Sequence, residues 1–374
     1  MTVLYTIAEI RAIEQSAMVA LQPHTLMERA GLAAAQSALK LLPEDKMAAK
    51  VLILAGPGNN GGDALEVAAH LAHAGVQVSI LLYAQSEKLP SDSQLALKCA
   101  QISPARFRDT STTEATTTLI QSSDWSLVVD GLFGIGLSKP ITGDLQTLIE
   151  TVNQLNCPVL ALDAPSGLDT DTGRIVGENQ VAIRASHTIT FIGDKPGLHT
   201  LHGRDRAGQV TIAPLEIEAQ HYPAPRCWMN DARLFAGSLR QRQHESHKGS
   251  YGMVAIVGGA HGMAGATVLA ARAALQSGAG RVYAVFLENA PPYDGAQPEL
   301  MCRDAHNFDF SSAAPAVVLV VGPGLGQSRG AQDLLAQALT SSHPIVLDAD
   351  ALNLIATEPS LQHRAKHRRN ETLI

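Results

Sequence analysis

The sequence predicts an α/β protein of two domains, each built on a parallel sheet with helices on both faces, and three observations carry that prediction. From residue 51, short apolar runs alternate with longer Ala- and Leu-rich segments, the texture of strands joined by crossover helices. That texture lapses after residue 215 and resumes after residue 250. A chain of 374 residues, 45% of them hydrophobic, can also fill two cores.

Taken in order, residues 7–42 read as one or two amphipathic helices, with a break and restart at "PHTLMERAG". The strands of the first domain are "VLILAG", "VSILLY", "LVVDGLFG", "VLALDAPSG", "HTITFIG" and "GQVTIAP", and the domain is expected to span residues 1–218. The stretch "LEIEAQHYPAPRCWMNDARLF" has two prolines, a Trp and no period, so it reads as a linker. A second domain is expected over residues 229–374, with "MVAIVGG", a helical "GATVLAARAALQSG", "RVYAVF", "AVVLVVGPGLG" and "PIVLDADALNLIA". That set gives about four strands, and the terminal "ETLI" has the look of a strand just begun, so this domain is expected to be incomplete, with an open sheet edge.

Composition excludes several classes of function. A formal net charge of -7 and only 4% aromatic residues argue against nucleic-acid binding. The N-terminus lacks the apolar block of a signal peptide, and no apolar run reaches membrane-spanning length. A soluble, cytoplasmic protein without membrane partners is expected, and homo-oligomerisation stays open. Cys99, Cys157, Cys227 and Cys302 lie far apart without a C-x-x-C pair, which suits buried reduced thiols better than zinc or disulfides. His199 with His202, and His244 with His247, read as surface histidines, and "HRAKHRRNE" as a solvated helix face.

Chemistry concentrates at three strand ends. The loop "GPGNNGGD" places glycines between a strand and a helix, where backbone N–H groups and the helix N-terminus attract an anion. It departs from G-x-G-x-x-G, because Asn59 and Asn60 occupy its middle and Asp63 follows Gly61 and Gly62. A tight turn with Asx hydrogen bonds is the alternative. "VVDGLFGIGLSKP" ends a second strand with Asp130 and carries Lys139, while "LALDAPSGLD" ends a third with Asp163, Ser166 and Asp169. Each aspartate alone could be a helix N-cap. Together, beyond the carboxyl ends of parallel strands, they describe one pocket.

"LMERAG", "GPGNNGGD", "VDGLFGIGLSKPITG" and "LDAPSGLD", in this order, resemble the epimerase domain of the bifunctional NAD(P)H-hydrate repair enzymes over residues 1 to about 215. That resemblance implies a Rossmann-like three-layer domain without hydride transfer, acting on NADHX and NADPHX, the nicotinamide cofactors hydrated at C6 of the ring. It implies that Asn59–Asp63 and the loop Gly134, Ile135, Gly136, Leu137, Ser138, Lys139, Pro140 wrap the phosphates and ribose. It also implies that Asn60, Asp130 and Ser166 ligate K+, and that Asp163 stands at the reacting ring as general acid/base. Ala64 departs from the family, which usually has glycine there.

"HKGSYGMVAIVGGAHGMAGATVLAARAALQSGAGRV" and "VVGPGLG…LDADALN" resemble the ribokinase-like dehydratase half of the same enzymes, which uses ADP or ATP. Gly265, Ala266, Gly324 and Gly326 match positions that contact the hydrate. The family's T-P-H-P-G-E and G-S-G-D segments, the latter bearing the catalytic Asp, have no counterpart up to Ile374, so dehydration is not expected of this chain. A non-catalytic nucleotide-binding protein on the same fold is the alternative. An NAD-dependent oxidoreductase lacks its fingerprint after the first strand, and a small-molecule kinase lacks its catalytic Asp.

Overall fold

The computed structural model describes residues 1–177, 181–238, 241–310 and 317–374. The chain divides into two compact units, residues 1–239 and 240–374.

In the first unit the strands are β1 (Val3–Leu4), β2 (Lys50–Ala55), β3 (Gln77–Leu82), β4 (Arg106–Phe107), β5 (Leu127–Gly131), β6 (Val159–Leu162), β7 (His187–Phe191), β8 (Gln209–Ala213) and β9 (Cys227–Trp228). The helices are α1 (Ile7–Met18), α2 (Thr25–Leu41), α3 (Asn59–His73), α4 (Ser91–Ile102), α5 (Thr113–Ser122), α6 (Asp144–Val152) and a single turn, α7 (Gly203–Arg206). Seven strands form one sheet in the order β4-β3-β2-β5-β6-β7-β8, every pairing parallel. The order reverses between β2 and β5, and such a switch point opens a crevice at the carboxyl ends of the strands.

Strand β2 shows why the sheet lies in the middle layer. Val51, Ile53 and Ala55 pack with α1–α4 residues such as Ile13, Ala34, Leu65 and Ala96, while Leu52 and Leu54 pack with Ile120 and Leu148 of α5 and α6. Both faces of the strand are therefore dry, and burying each Val, Leu or Ile contributes about 1.5–3 kcal/mol.

The expected linker is partly ordered against the first unit. β9 pairs antiparallel with β1, Val3 opposite Trp228, and Met229 N donates to Thr2 O at 2.9 Å. A two-residue strand in a Pro-interrupted stretch has no readable period.

The second unit contains β10 (Met253–Gly258), α8 (Ala264–Gln276), β11 (Arg281–Phe286), β12 (Met301–Asp304), β13 (Val317–Val321), α9 (Arg329–Thr340), β14 (Ile345–Leu347), α10 (Asp350–Thr357), α11 (Pro359–Lys366) and β15 (Thr372–Leu373). Its sheet has six parallel strands in the order β12-β11-β10-β13-β14-β15: the four expected runs, the terminal "ETLI" and one more. The unpredicted strand is "MCRD", whose Arg and Asp mask its single buried residue, Cys302. The first residue of the predicted strand "AVVLVV", Ala316, lies outside the described residues.

Several surface expectations change in the folded chain. Only Cys302 is buried; Cys99 and Cys157 are half-buried, Cys227 is exposed, and all four are free thiols. Arg368 is not simply solvated. Its guanidinium donates to the carbonyls of Leu339 at 2.8 Å and Ser341 at 2.9 Å, and to that of His343, tying off the end of α9. His199 Nε2 lies 2.9 Å from both carboxylate oxygens of buried Asp194. Among the described residues no helix is long and apolar enough to cross a membrane.

Candidate active site

The "GPGNNGGD" loop is shorter than its sequence suggests. Only Gly56–Gly58 form a turn; Asn59 opens α3, with Gly58 as N-cap and no side-chain cap. The glycines serve backbone packing as well as ligand access. A Cβ on Gly56 would stand 1.8 Å from Leu132 O, and one on Gly61 would stand 2.0 Å from Gly56 O. Only glycine lets β2, the start of α3 and the end of β5 close on one another. Ala64 is helical and fully buried, and its methyl fills the space beside Gly131. No positive φ is needed there.

A cavity of about 800 Å³ opens at the switch point, a volume suited to a dinucleotide-sized ligand. Its wall takes Asn59, Asn60 and Asp63 from α3, the segment Leu132–Lys139 after β5, and Asp163 after β6. Pro140 lies outside the lining, beside Gly177. The roof comes from α1, α2 and the turn between them, including Arg11, Glu14 and His24, to which the sequence assigned no role.

Asp163 is the most constrained side chain of the site. Its φ is 63°, a left-handed conformation uncommon outside glycine, and its N–H donates to Ile189 O at 2.8 Å. Carboxylate Oδ1 accepts from Lys195 Nζ at 2.7 Å, Phe191 N at 3.2 Å and Thr190 Oγ1 at 3.4 Å. Oδ2 is left toward Gly134 and the cavity. Lys195 is completely buried and spends its ammonium on Asp163, Thr190 Oγ1 at 2.6 Å, Phe191 O at 3.0 Å and Gly193 O at 3.1 Å. A buried ammonium needs that many acceptors. Lys195 was not singled out in the sequence. The available signal was "FIGDKPG", a fourth strand end carrying a charge.

The other carboxyls are differently placed. Burial pushes Asp63 well above the usual carboxylate range, and the charges of Asp163, Glu14 and Glu66 push it further. Glu14 is raised by burial and then by Asp163, against the lowering effect of Arg11 and Lys195. Glu66 binds His24 Nε2 at 2.9 Å, while His24 Nδ1 is buried without a partner.

Asp130 and Ser166 are fully buried and hold each other, Ser166 Oγ donating to Oδ1 at 2.6 Å and Ser166 N to Oδ2 at 2.8 Å. Burial raises Asp130 to about 6 despite these bonds. Phe133 N donates to Ser166 Oγ at 2.9 Å, so the pair shapes the loop after β5. Asn60 is near them through its backbone carbonyl at Gly131, and both polar atoms of its side chain are buried without partners. No cluster of three or more His, Cys, Asp or Glu suited to a metal occurs among the described residues.

In the second unit Ala266 and Gly324 meet at the reversal between β10 and β13, while Gly326 faces Ala260 and Met263 and Gly265 has open space around it. A Cβ on Gly324 would stand 3.1 Å from that of Ala266, and Gly326 N donates to Asp350 Oδ2 at 2.8 Å.

A crevice at a doubly wound switch point, faced by a helix N-terminus and a fixed carboxylate, is where open parallel α/β sheets bind their ligands. Residues 23–197 match the family described as YjeF-related protein N-terminus, and residues 254–373 match NAD(P)H-hydrate dehydratase. A bifunctional NAD(P)H-hydrate repair enzyme of Coxiella burnetii is 36% identical, over 96% of this chain and 72% of its own length. One from Escherichia coli is 34% identical, over 95% of this chain and 67% of its own length. The chain belongs to the bifunctional NAD(P)H-hydrate repair enzymes.

Proposed function

We propose that the first unit epimerises R- and S-NADHX and NADPHX at C6. The observation that carries this reading is Asp163, with one carboxylate oxygen gripped by buried Lys195 and the other left toward the cavity. A carboxylate fixed in position can accept or return a proton at the C6 hydroxyl. Asn59–Asp63 and Gly134–Lys139 would bind the phosphates and ribose, the helix start favouring the negative charge.

Asn60, Asp130 and Ser166 fit a potassium ion, because the amide oxygen of Asn60 is buried without a partner and Asp130 is a buried carboxyl with no cation beside it. When bound, the ion would supply a fixed positive charge that offsets Asp130. In the second unit, which matches the dehydratase family, Gly265, Ala266, Gly324 and Gly326 would contact the hydrate.

The test is chromatography of purified R-NADHX incubated with the chain, in potassium and then in lithium, without nucleotide. Conversion to the S epimer that is abolished in Asp163→Ala supports the reading. Binding of the hydrate without conversion would favour a non-catalytic nucleotide-binding protein.

A further inference from the structure

The roof helix carries a charge that the protein itself leaves unused. Resting on the epimerase reading above, we propose that Arg11 of α1 is a phosphate clamp, its guanidinium holding a phosphate of the hydrate against the backbone of the loop at Gly136. Among the described residues, Arg11 and Lys139 are the only Lys or Arg side chains lining the cavity, and neither forms an ion pair or a hydrogen bond. Glu14, three residues along the same helix, lines the cavity too and is not paired with Arg11. The potassium ion proposed at Asn60, Asp130 and Ser166 adds a positive charge to this site, and fully buried Asp130 offsets it. The diphosphate of the hydrate, and the 2′-phosphate of NADPHX, still need a cation that is free to meet them. An arginine offers several donors in a planar fork that matches phosphate oxygens.

Two features direct Arg11 to that place. The first is anchorage. Tyr5 N donates to Asp194 O at 2.8 Å, Ile7 N donates to Asp171 Oδ1 at 2.7 Å, and Thr6 with Glu9 completes a capping box. The first turn of α1 is thereby tied to the loops that follow β6 and β7. Arg11 stands one turn beyond Ile7, on the same face as Glu14 and Met18, and all three line the cavity. The second feature is Gly136. At Gly56 and Gly61 a Cβ would strike backbone, so packing requires glycine there. At Gly136 the φ is not in the left-handed range, and beyond its chain neighbours a Cβ would meet only Arg11 Nη2, at 3.9 Å. Neither conformation nor packing requires glycine at this position. It leaves bare backbone facing an unpaired guanidinium across open space, the surface a phosphate group needs. Two residues earlier, Asn60 and Asp163 face Gly134 at 3.3 and 3.4 Å from its Cβ position. The clamp therefore lies beside the carboxylate assigned to the ring and does not compete with it.

Titration calorimetry tests the clamp without needing turnover. ADP-ribose, which has the diphosphate but no reacting ring, and its 2′-phosphorylated form are titrated into the unmodified chain, Arg11→Gln, Arg11→Lys and Gly136→Ala, all in one potassium buffer. Arg11 is exposed, so water shares its charge, and Arg11→Gln should weaken binding by about 10-fold with the melting temperature unchanged. Gly136→Ala should weaken binding to a similar degree although its methyl has room in the free protein, and Arg11→Lys should recover part of the loss. Equal losses for both probes put the clamp on the diphosphate, and a loss for the 2′-phosphorylated probe alone puts it on the 2′-phosphate. Unchanged binding of both probes in Arg11→Gln overturns the proposal, as does an unmodified chain that binds neither. With R-NADHX as substrate, Arg11→Gln should raise KM by about 10-fold and leave kcat within about twofold if the diphosphate is held. No inversion by the unmodified chain would overturn the epimerase reading, and the titrations would still decide the clamp.

Discussion

Replacing Lys195 with Met tests the centre of the site. The ammonium it removes is completely buried and serves Asp163, Thr190, Phe191 O and Gly193 O at 2.6–3.1 Å. Met has nearly the same length, so the main loss is charge and donors, and it strands the Asp163 carboxylate in a site that is 12% exposed. Breaking a buried pair from one side costs about 3–5 kcal/mol. Unfolding of the first unit should then shift down by about 6–20 °C, at roughly 2–4 °C per kcal/mol for a unit of this size. Both tryptophans, Trp125 and Trp228, belong to that unit, so tryptophan fluorescence follows its melting alone. Epimerisation should fall by about 100-fold, because the carboxylate loses its orientation as well as its counter-charge. The double variant Asp163→Asn with Lys195→Met should regain stability, by at least about 2 kcal/mol relative to Lys195→Met, without regaining activity. Losses that add within about 0.5 kcal/mol, or a full rate in Lys195→Met, would refute the coupling.

Two further outcomes follow from other parts of the chain. Ala64→Gly should cost about 1 kcal/mol of helix stability, read in the same fluorescence melt. It should leave the epimerisation rate unchanged, because the Ala64 methyl packs on Gly131 and does not line the cavity. In the second unit Asp294 takes a two-pronged bond from Arg272, 2.6 Å on each side, which lowers its carboxyl to about 2. A lowered carboxylate stabilises the folded state above its ordinary value and loses that contribution as pH falls toward its folded value. Asp294→Asn should therefore lower the second unit's melting temperature at neutral pH, and circular dichroism should show the gap to the unmodified chain closing between about pH 4 and pH 2.

The sheets were legible because period and composition are local. Six apolar runs from "VLILAG" to "GQVTIAP" all became strands of the first unit; the central ones are buried on both faces and so apolar along their length, while β8 is a largely exposed edge strand. The strands that escaped, β1, β4, β9 and β12, are only two to four residues long, too short to show a period, and β4 and β9 are exposed as well. Asp163, Asn60 and the Gly134–Lys139 loop were also legible, because a sequence can mark the carboxyl end of a strand with glycine and a polar residue. What the sequence could not determine is which of its charges meet. Lys195 lies 32 residues from Asp163, and Glu66 lies 42 from His24, and nothing along the chain pairs them. Their partnership arises when parallel strands bring successive loops to one edge and α1 and α2 fold over it. Only there does Asp163 meet an ammonium while Asp63 is buried without a counter-charge, and desolvation belongs to the assembled site rather than to any residue in it.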